Sequence, residues 1–226
     1  EVERDKLMTR TSKRPLVNGS VTLYEGWLFG VFLLLVSIAC LLECSYLSVI
    51  LLLFTILFYV FYTIYLKPWS DMNIVIGGIA GALPVLIGWY AVHDDFSIVP
   101  YMWFVLIFLW TPAHFWALAI YKLNDYKLIK LPMRPLTIGV NQTVKEIFIY
   151  TILTVLTHFI LNIYAMIELK KFSIFYFFLI VILNLKFIYK AYVLQYSDEV
   201  NTECRQFFLL SIKYLLFGLV LFIFYF

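Results

Sequence analysis

An all-α integral membrane protein, built as a bundle of seven spans, is the fold this sequence predicts. Three observations carry that expectation. Of the 226 residues, 64% are hydrophobic and only 14% are charged, against roughly half and a quarter in an ordinary soluble domain. The mean hydropathy is +0.93. The apolar residues also come in blocks: uncharged stretches cover 26–42, 44–66, 72–92, 96–121 and 147–167, and about 20 residues at 1.5 Å rise cross ~30 Å of hydrocarbon. A soluble globular enzyme, a disordered chain, a collagen-like repeat and a disulfide scaffold are excluded together.

Each element follows from its boundaries. The first stretch opens after Glu25 and closes at Glu43, and the second ends at Lys67. The third begins after Asp71 with Asn73 and contains Pro84. The fourth, between Asp95 and Lys122, contains Pro112 and His114, and the fifth contains His158. Two weaker stretches follow, 172–193 interrupted by Lys186 and Lys190, and 207–226 interrupted by Lys213. Pro84 and Pro112 predict kinks that free carbonyls and shape a cavity. Cys40, Cys44 and Cys204 lie in or beside spans, without paired spacing, and read as packing residues. No cleavable signal peptide is visible. The chain starts at Glu1 with charged residues rather than with Met and an apolar run, so an incomplete N-terminus is expected, and with it impaired activity of this piece alone.

The loops are short enough for the positive-inside rule. Basic residues gather in 4–25, at Lys67 and in 122–145, three regions separated by even numbers of spans, while the connections at 43–45 and 93–97 carry acids and no Lys or Arg. The first three regions are therefore expected on the cytoplasmic or matrix side. Asp5, Arg10, Arg14, Pro15, Leu16 and Gly19 recur 120 residues later as Asp125, Lys130, Arg134, Pro135, Leu136 and Gly139. An even number of spans between the copies makes this an approximate parallel repeat of 1–22 with 121–142 inside one domain covering 1–226.

Charge therefore collects at one mouth. Glu1 and Asp5, four apart, share a helix face. Carboxylates so placed can hold Mg²⁺, which takes one or two of them together with waters and substrate phosphate oxygens. Neighbouring bases would neutralise the phosphates; an ordinary charge cluster at the headgroups explains each residue singly. Asn73, near the rim beside Lys67, is a candidate ligand contact, whereas Gly77 and Gly81 form a small-xxx-small pair that usually means close helix packing. His114 lies seven residues from the rim at Tyr121, ~10 Å deep at helical rise. Hydrogen-bonded structure and a ligating or proton-relaying role both fit it. His158, without polar companions nearby in its span, reads as structural. Acidic and basic groups are missing from the middle of the first five spans, which argues against an ion-coupled transporter.

The residues that carry a resemblance are Asp5 through Arg14-Pro15-Leu16, Tyr65-Leu-Lys67, Asn73 through Gly77-Gly78, Pro84, Gly88-Trp89, Trp110-Thr-Pro-Ala-His114-Phe-Trp-Ala-Leu-Ala-Ile, Asp125-Tyr126 and Pro132-Met133. With them the chain resembles the haem-modifying branch of the UbiA-type intramembrane prenyltransferases, the protohaem IX farnesyltransferases or haem O synthases, from residue 1 to its end. The resemblance implies a nine-helix bundle, of which seven spans are present here. It implies transfer of a farnesyl group from farnesyl diphosphate to a vinyl carbon of haem B, with Mg²⁺ as cofactor. It places Glu1 and Asp5 on the two acidic positions of the family's Asn-x3-Asp-x3-Asp motif, with Glu for Asp at the first. In the second acidic motif, near Lys122, only Asp125 is retained, since Asn124 stands in place of an acid. Ala113 replaces a proline often found before the family's histidine.

Joined to the reading of the residues, Glu1, Asp5 and Asp125 are the expected metal ligands. Arg10, Arg14, Lys67 and Lys122 are expected to offset charge on the departing diphosphate, with Asn73 beside them and His114 on the haem. Expected partners are farnesyl diphosphate, haem B and the lipid bilayer, with no nucleic acid, and association with haem A synthase or terminal oxidase assembly follows from the product. The expected location is a bacterial inner membrane with the active-site loops cytoplasmic, the mitochondrial inner membrane being the alternative. Competing readings are a prenyltransferase for a quinone precursor or chlorophyllide and, from another class, a transporter or haem-handling assembly factor.

Overall fold

The computed structural model describes residues 2–8 and 11–226; Glu1 and Arg10, both expected at the site, lie outside the described residues. Among the described residues, seven helices are long and apolar enough to cross a membrane: Leu23–Leu42, Tyr46–Trp69, Asn73–Val92, Ile98–Tyr121, Val140–Glu168, Ile174–Tyr196 and Val200–Tyr225. They are named here as the first to seventh spans. The alternation of helix ends puts 2–8, 11–22, 70–72, 122–139 and 197–199 at one rim, and 43–45, 93–97 and 169–173 at the other.

The fourth span is the axis of the bundle, packed against the third, fifth and seventh, while the sixth joins the fifth and seventh. Its small residues let the neighbours approach. Ala113, Ala117, Trp116, Ile147, Phe187, Phe207 and Tyr214 form a fully buried core there. Lys190, which interrupts the sixth span in sequence, is paired with Glu203 of the seventh at 2.6 Å, so its charge is compensated rather than left in lipid. The first span packs on the second and buries none of its residues.

Two helices depart from regularity, each beside a proline. The third span divides at Leu83 into Asn73–Ala82 and Pro84–Val92, the kink expected from Pro84. Pro112 sits inside Ile98–Tyr121, which continues as one helix past it. The adjacent Thr111 hydroxyl donates to the Ile107 carbonyl at 2.7 Å, one residue before the Phe108 carbonyl that Pro112 leaves without an N–H partner. In the second span the turn Tyr62–Leu66 widens to π-helical, with the Lys67 N–H bonding to the Tyr62 carbonyl. Pro68, next in the chain, has no N–H for the carbonyl four residues back and crowds it, which favours the wider turn.

Each of the two basic rim segments ends in the same local device. A short helix with proline in its first turn, Pro15–Asn18 or Arg134–Thr137, is followed by a glycine in positive φ, Gly19 at 79° or Gly139 at 86°. Positive φ penalises any residue with a Cβ, although ψ differs between the two, 8° at Gly19 and 161° at Gly139.

Candidate active site

A cavity of about 710 Å³ opens at the rim that carries residues 2–8 and 11–22. Its mouth is polar, with Arg4, Asp5, Thr11, Arg14, Lys67 and Asn73 on the wall. Farther in, the lining turns apolar and aromatic, from Tyr59, Tyr62 and Ile107 to Trp110 and Phe115. A charged head and a hydrocarbon tail would find their separate surroundings here.

Asp5 ends the short helix Val2–Asp5 and is 8% exposed. Its Oδ2 accepts from Arg14 Nη1 at 2.6 Å, and its carbonyl accepts from the Thr11 hydroxyl at 2.8 Å. The turn from Asp5 to Arg14 is thus tied twice, and the guanidinium stays half exposed toward the opening. A carboxylate next to a guanidinium can serve a cation and an anion at once.

Asn73 reaches the cavity wall through a different logic. Its Nδ2 donates to the Lys67 carbonyl at 3.2 Å and the Pro132 carbonyl at 3.1 Å. Both amide hydrogens are therefore spent on joining the end of the second span to the segment Leu131–Met133. A second tie lies alongside: Arg134 Nη1 bonds to Asp71 Oδ2 at 2.7 Å, and its Nε and Nη2 bond to the two Glu146 oxygens at 2.8 and 2.7 Å. Thr137 also donates to Asp71 Oδ2 at 2.7 Å. Burial works against ionisation of Asp71, but the Thr137 hydroxyl and the Arg134 guanidinium outweigh it and hold the carboxyl below its ordinary range. Hydrogen bonding to Glu146, reinforced by Asp71, likewise secures the Arg134 proton against burial.

Of the residues expected at the site, Asp5, Arg14, Lys67 and Asn73 come together on one wall. Lys122 and Asp125 do not line the cavity. The neighbouring Tyr126 does, together with Ile129, Leu131 and Met133 of the same segment, while Lys122 lies over the Tyr121 ring at 4.5 Å. His114 also stays off the wall: its ring is stacked between Trp110 at 4.2 Å and Phe208 at 4.5 Å, with Nδ1 2.7 Å from the Ser211 hydroxyl. Trp110 and Phe115, which do line the cavity, are both in ring contact with the imidazole, which lies directly behind the wall.

The glycines of the third span depart from expectation in part. An added Cβ on Gly77 would fall 2.6 Å from the Tyr62 ring, and on Gly81 it would meet nothing within 4 Å. Gly77 thus packs closely against the Tyr62 ring of the second span and Gly78 against Thr111 of the fourth, 3.3 Å from an added Cβ, whereas Gly81 leaves open cavity in place of the expected helix contact. His158 differs too. It has polar companions, Asn184 and Tyr214, contributed by the sixth and seventh spans, partners that a single span's sequence does not display. Tyr62 is absent from the sequence expectations, and Tyr126 enters them only within the resemblance and without a role at the site, although Pro68 signals the irregular turn that carries Tyr62.

The residues fit a Mg²⁺ bound chiefly through substrate. Mg²⁺ takes few protein carboxylates beside phosphate oxygens and water, and Asp5 offers one at a mouth rich in cationic side chains. No cluster of three or more acidic, histidine or cysteine side chains capable of holding a metal occurs among the described residues, so an all-protein cage is not built from them.

Comparison with known proteins agrees with this architecture. The protoheme IX farnesyltransferase of Rickettsia bellii is 41% identical over 215 residues, covering 94% of this chain and 70% of the relative. That of Pelagibacter ubique is 49% identical over 155 residues, covering 68% of this chain and 51% of the relative, about half its length. Among solved structures, a study of digeranylgeranylglyceryl phosphate synthase in membranes gives a TM-score of 0.73 at 20% identity, covering 96% of this chain and 75% of that one. A UbiA homolog from Archaeoglobus fulgidus bound to DMAPP and Mg²⁺ gives 0.57 at 18% identity, covering 97% and 78%. At such identities the likeness shows the fold. The family model for UbiA prenyltransferases matches residues 1–212, and the chain belongs to the UbiA prenyltransferase family.

Proposed function

We propose that this protein transfers a farnesyl group from farnesyl diphosphate to a vinyl group of haem B, giving haem O. The carrying observation is the graded cavity, with the Asp5–Arg14 pair and Lys67 at its mouth and an apolar, aromatic interior behind them. The names of the relatives supply the acceptor and the donor's chain length.

Diphosphate binds at the mouth, where Arg14 and Lys67 meet the charge that grows as the carbon–oxygen bond at C1 breaks. Asp5 orients Arg14 and presents a carboxylate toward the metal. Mg²⁺, when bound, polarises the diphosphate and makes it a better leaving group. The resemblance assigns Glu1 to the metal and Arg10 to the diphosphate. Lys122 and Asp125 belong to an outer ring of charge at the same rim, behind Tyr126. Tyr59, Tyr62 and Trp110 offer π faces to the allylic cation, and the apolar wall keeps water from capturing it early. The vinyl carbon then forms its bond to C1, water adds to the cation left on the haem side chain, and the water's proton is given up. His114 is the residue assigned to the haem. We place the reactive rim on the cytoplasmic side of a bacterial inner membrane, with the product consumed by haem A synthase or terminal oxidase assembly.

The test is an assay in proteoliposomes with haem B and farnesyl diphosphate, reading pigment mass. A gain of one farnesyl group and one hydroxyl group, lost on chelation of divalent metal, is expected. Unmodified haem B, or a prenylated quinone precursor formed in preference, would overturn the assignment.

A further inference from the structure

Two imidazoles are buried in this bundle, and the hydrogen bonds around His114 fix its tautomer. Ser211 Oγ donates its one proton to the Phe208 carbonyl at 2.7 Å. Without that proton between them, two lone-pair-bearing oxygens would face each other at contact distance. The hydroxyl can then only accept from His114 at 2.7 Å, so Nδ1 of His114 carries the hydrogen and Nε2 keeps a lone pair in the ring plane. The Ser211 carbonyl accepts from Trp110 Nε1 at 3.0 Å. One residue of the seventh span thus holds both the histidine and the indole stacked on it.

His158 shows the other outcome. Tyr214 donates to Asn184 Oδ1 at 2.9 Å, and both oxygens lie within 3.0 Å of His158 Nδ1. Nε2 is again bare, but it is sealed: it has no partner, and a Cβ on Gly218 would come within 3.1 Å of it. No ligand fits there. His114, by contrast, touches Trp110 and Phe115, both cavity residues, at ring distances of 4.2 and 5.0 Å.

We infer that Ser211 is a positioning residue that sets His114 in the Nδ1–H form, so that the histidine acts through Nε2 as an acceptor and not as a proton donor. The lone pair serves either the haem iron or the proton released when water adds to the vinyl-derived cation. This rests on the proposed haem farnesylation for its chemical meaning, but the tautomer is measurable without turnover.

The chain has three histidines, so ¹⁵N-histidine labelling in proteoliposomes resolves them by nuclear magnetic resonance, with H114N marking the signal of interest. A protonated Nδ1 and a bare Nε2 are expected at His114. S211A is expected to mix the two tautomers and S211T, which keeps the hydroxyl, to restore the single form. Turnover of S211A should fall roughly tenfold or more, as for other groups that orient a histidine from behind, with S211T near wild type. A Soret band of bound haem that changes in H114N assigns the lone pair to iron, whereas lost turnover with an unchanged band assigns it to the proton. A proton on Nε2 in the wild type, a tautomer indifferent to S211A, or wild-type turnover in S211A would each overturn the inference. If the wild type itself leaves haem B unmodified, the proposed function has failed, and the resonance result alone judges Ser211.

Discussion

The segments 5–19 and 125–139 share an acid, a later arginine followed by Pro-Leu, and a glycine in positive φ, yet they handle their charges differently. In the first, the arginine turns back on its own segment, Arg14 to Asp5, and both residues face the cavity. In the second, Arg134 ignores Asp125 and reaches Asp71 and Glu146 on two other elements. One arginine stays available to a ligand; the other joins the rim together. A motif that looks duplicated in sequence thus says where charge gathers, and only the partners say what the charge does.

The largest way to break this contrast is D5N. It leaves Arg14 without its carboxylate at the mouth, and turnover should fall about 10²–10³-fold, the range seen when one preorganised electrostatic contact is removed, with melting temperature nearly unchanged. A folded D5N variant with wild-type haem O production would remove the first segment from the chemistry. R134A should act in the opposite sense. Its partners are largely withdrawn from water, with side-chain exposures of 24% for Asp71 and 18% for Glu146, so leaving them unpaired should cost about 1–3 kcal/mol of stability. Thermal unfolding in detergent reads this directly, and KM for farnesyl diphosphate should rise more than kcat falls.

D125N sharpens the comparison further. Because Asp125 does not line the cavity, its loss should lower turnover by less than about tenfold, as expected of a charge acting from beyond direct contact. Steady-state kinetics showing D125N as damaged as D5N would bring the two acids onto equal footing. The smallest effect is acid sensitivity at Asp71. Its folded carboxyl titrates below the ordinary value of 3.8, so it contributes stability above that value, and the contribution fades as pH falls through the depressed one. Melting temperature against pH should therefore drop less steeply below about pH 4 in D71N than in the wild type. Parallel curves would mean that the carboxylate adds nothing to the joint.

Much of the bundle was legible because lipid imposes it. Seven apolar blocks of spanning length, and bases biased to one side, are direct consequences of the solvent, and a single sequence displays them. The gathering of Asp5, Arg14, Lys67 and Asn73 was legible for the same reason, since all four had to lie at one rim. What stayed hidden depends on rotation about helix axes and on pairing between distant elements. Arg134 with Asp71 joins positions 63 apart, and no local pattern announces it. The polar companions of His158 come from two other spans, and Gly81 faces open space through a geometry that its spacing from Gly77 shares with ordinary packing.

The π-helical turn in the second span sets the rotational phase of that wall. On a regular helix, residues five apart differ by about 140° in heading, which would send Tyr62 and Lys67 to different sides. The widened turn lets both border the same opening. An aromatic ring and an ammonium-bearing residue are thereby stationed one above the other, the first toward the hydrocarbon and the second toward the polar head. Excising a single residue from 62–66 would therefore unwind the phase and swing Lys67 out of alignment with the ring, although every side chain needed for the chemistry would still be present.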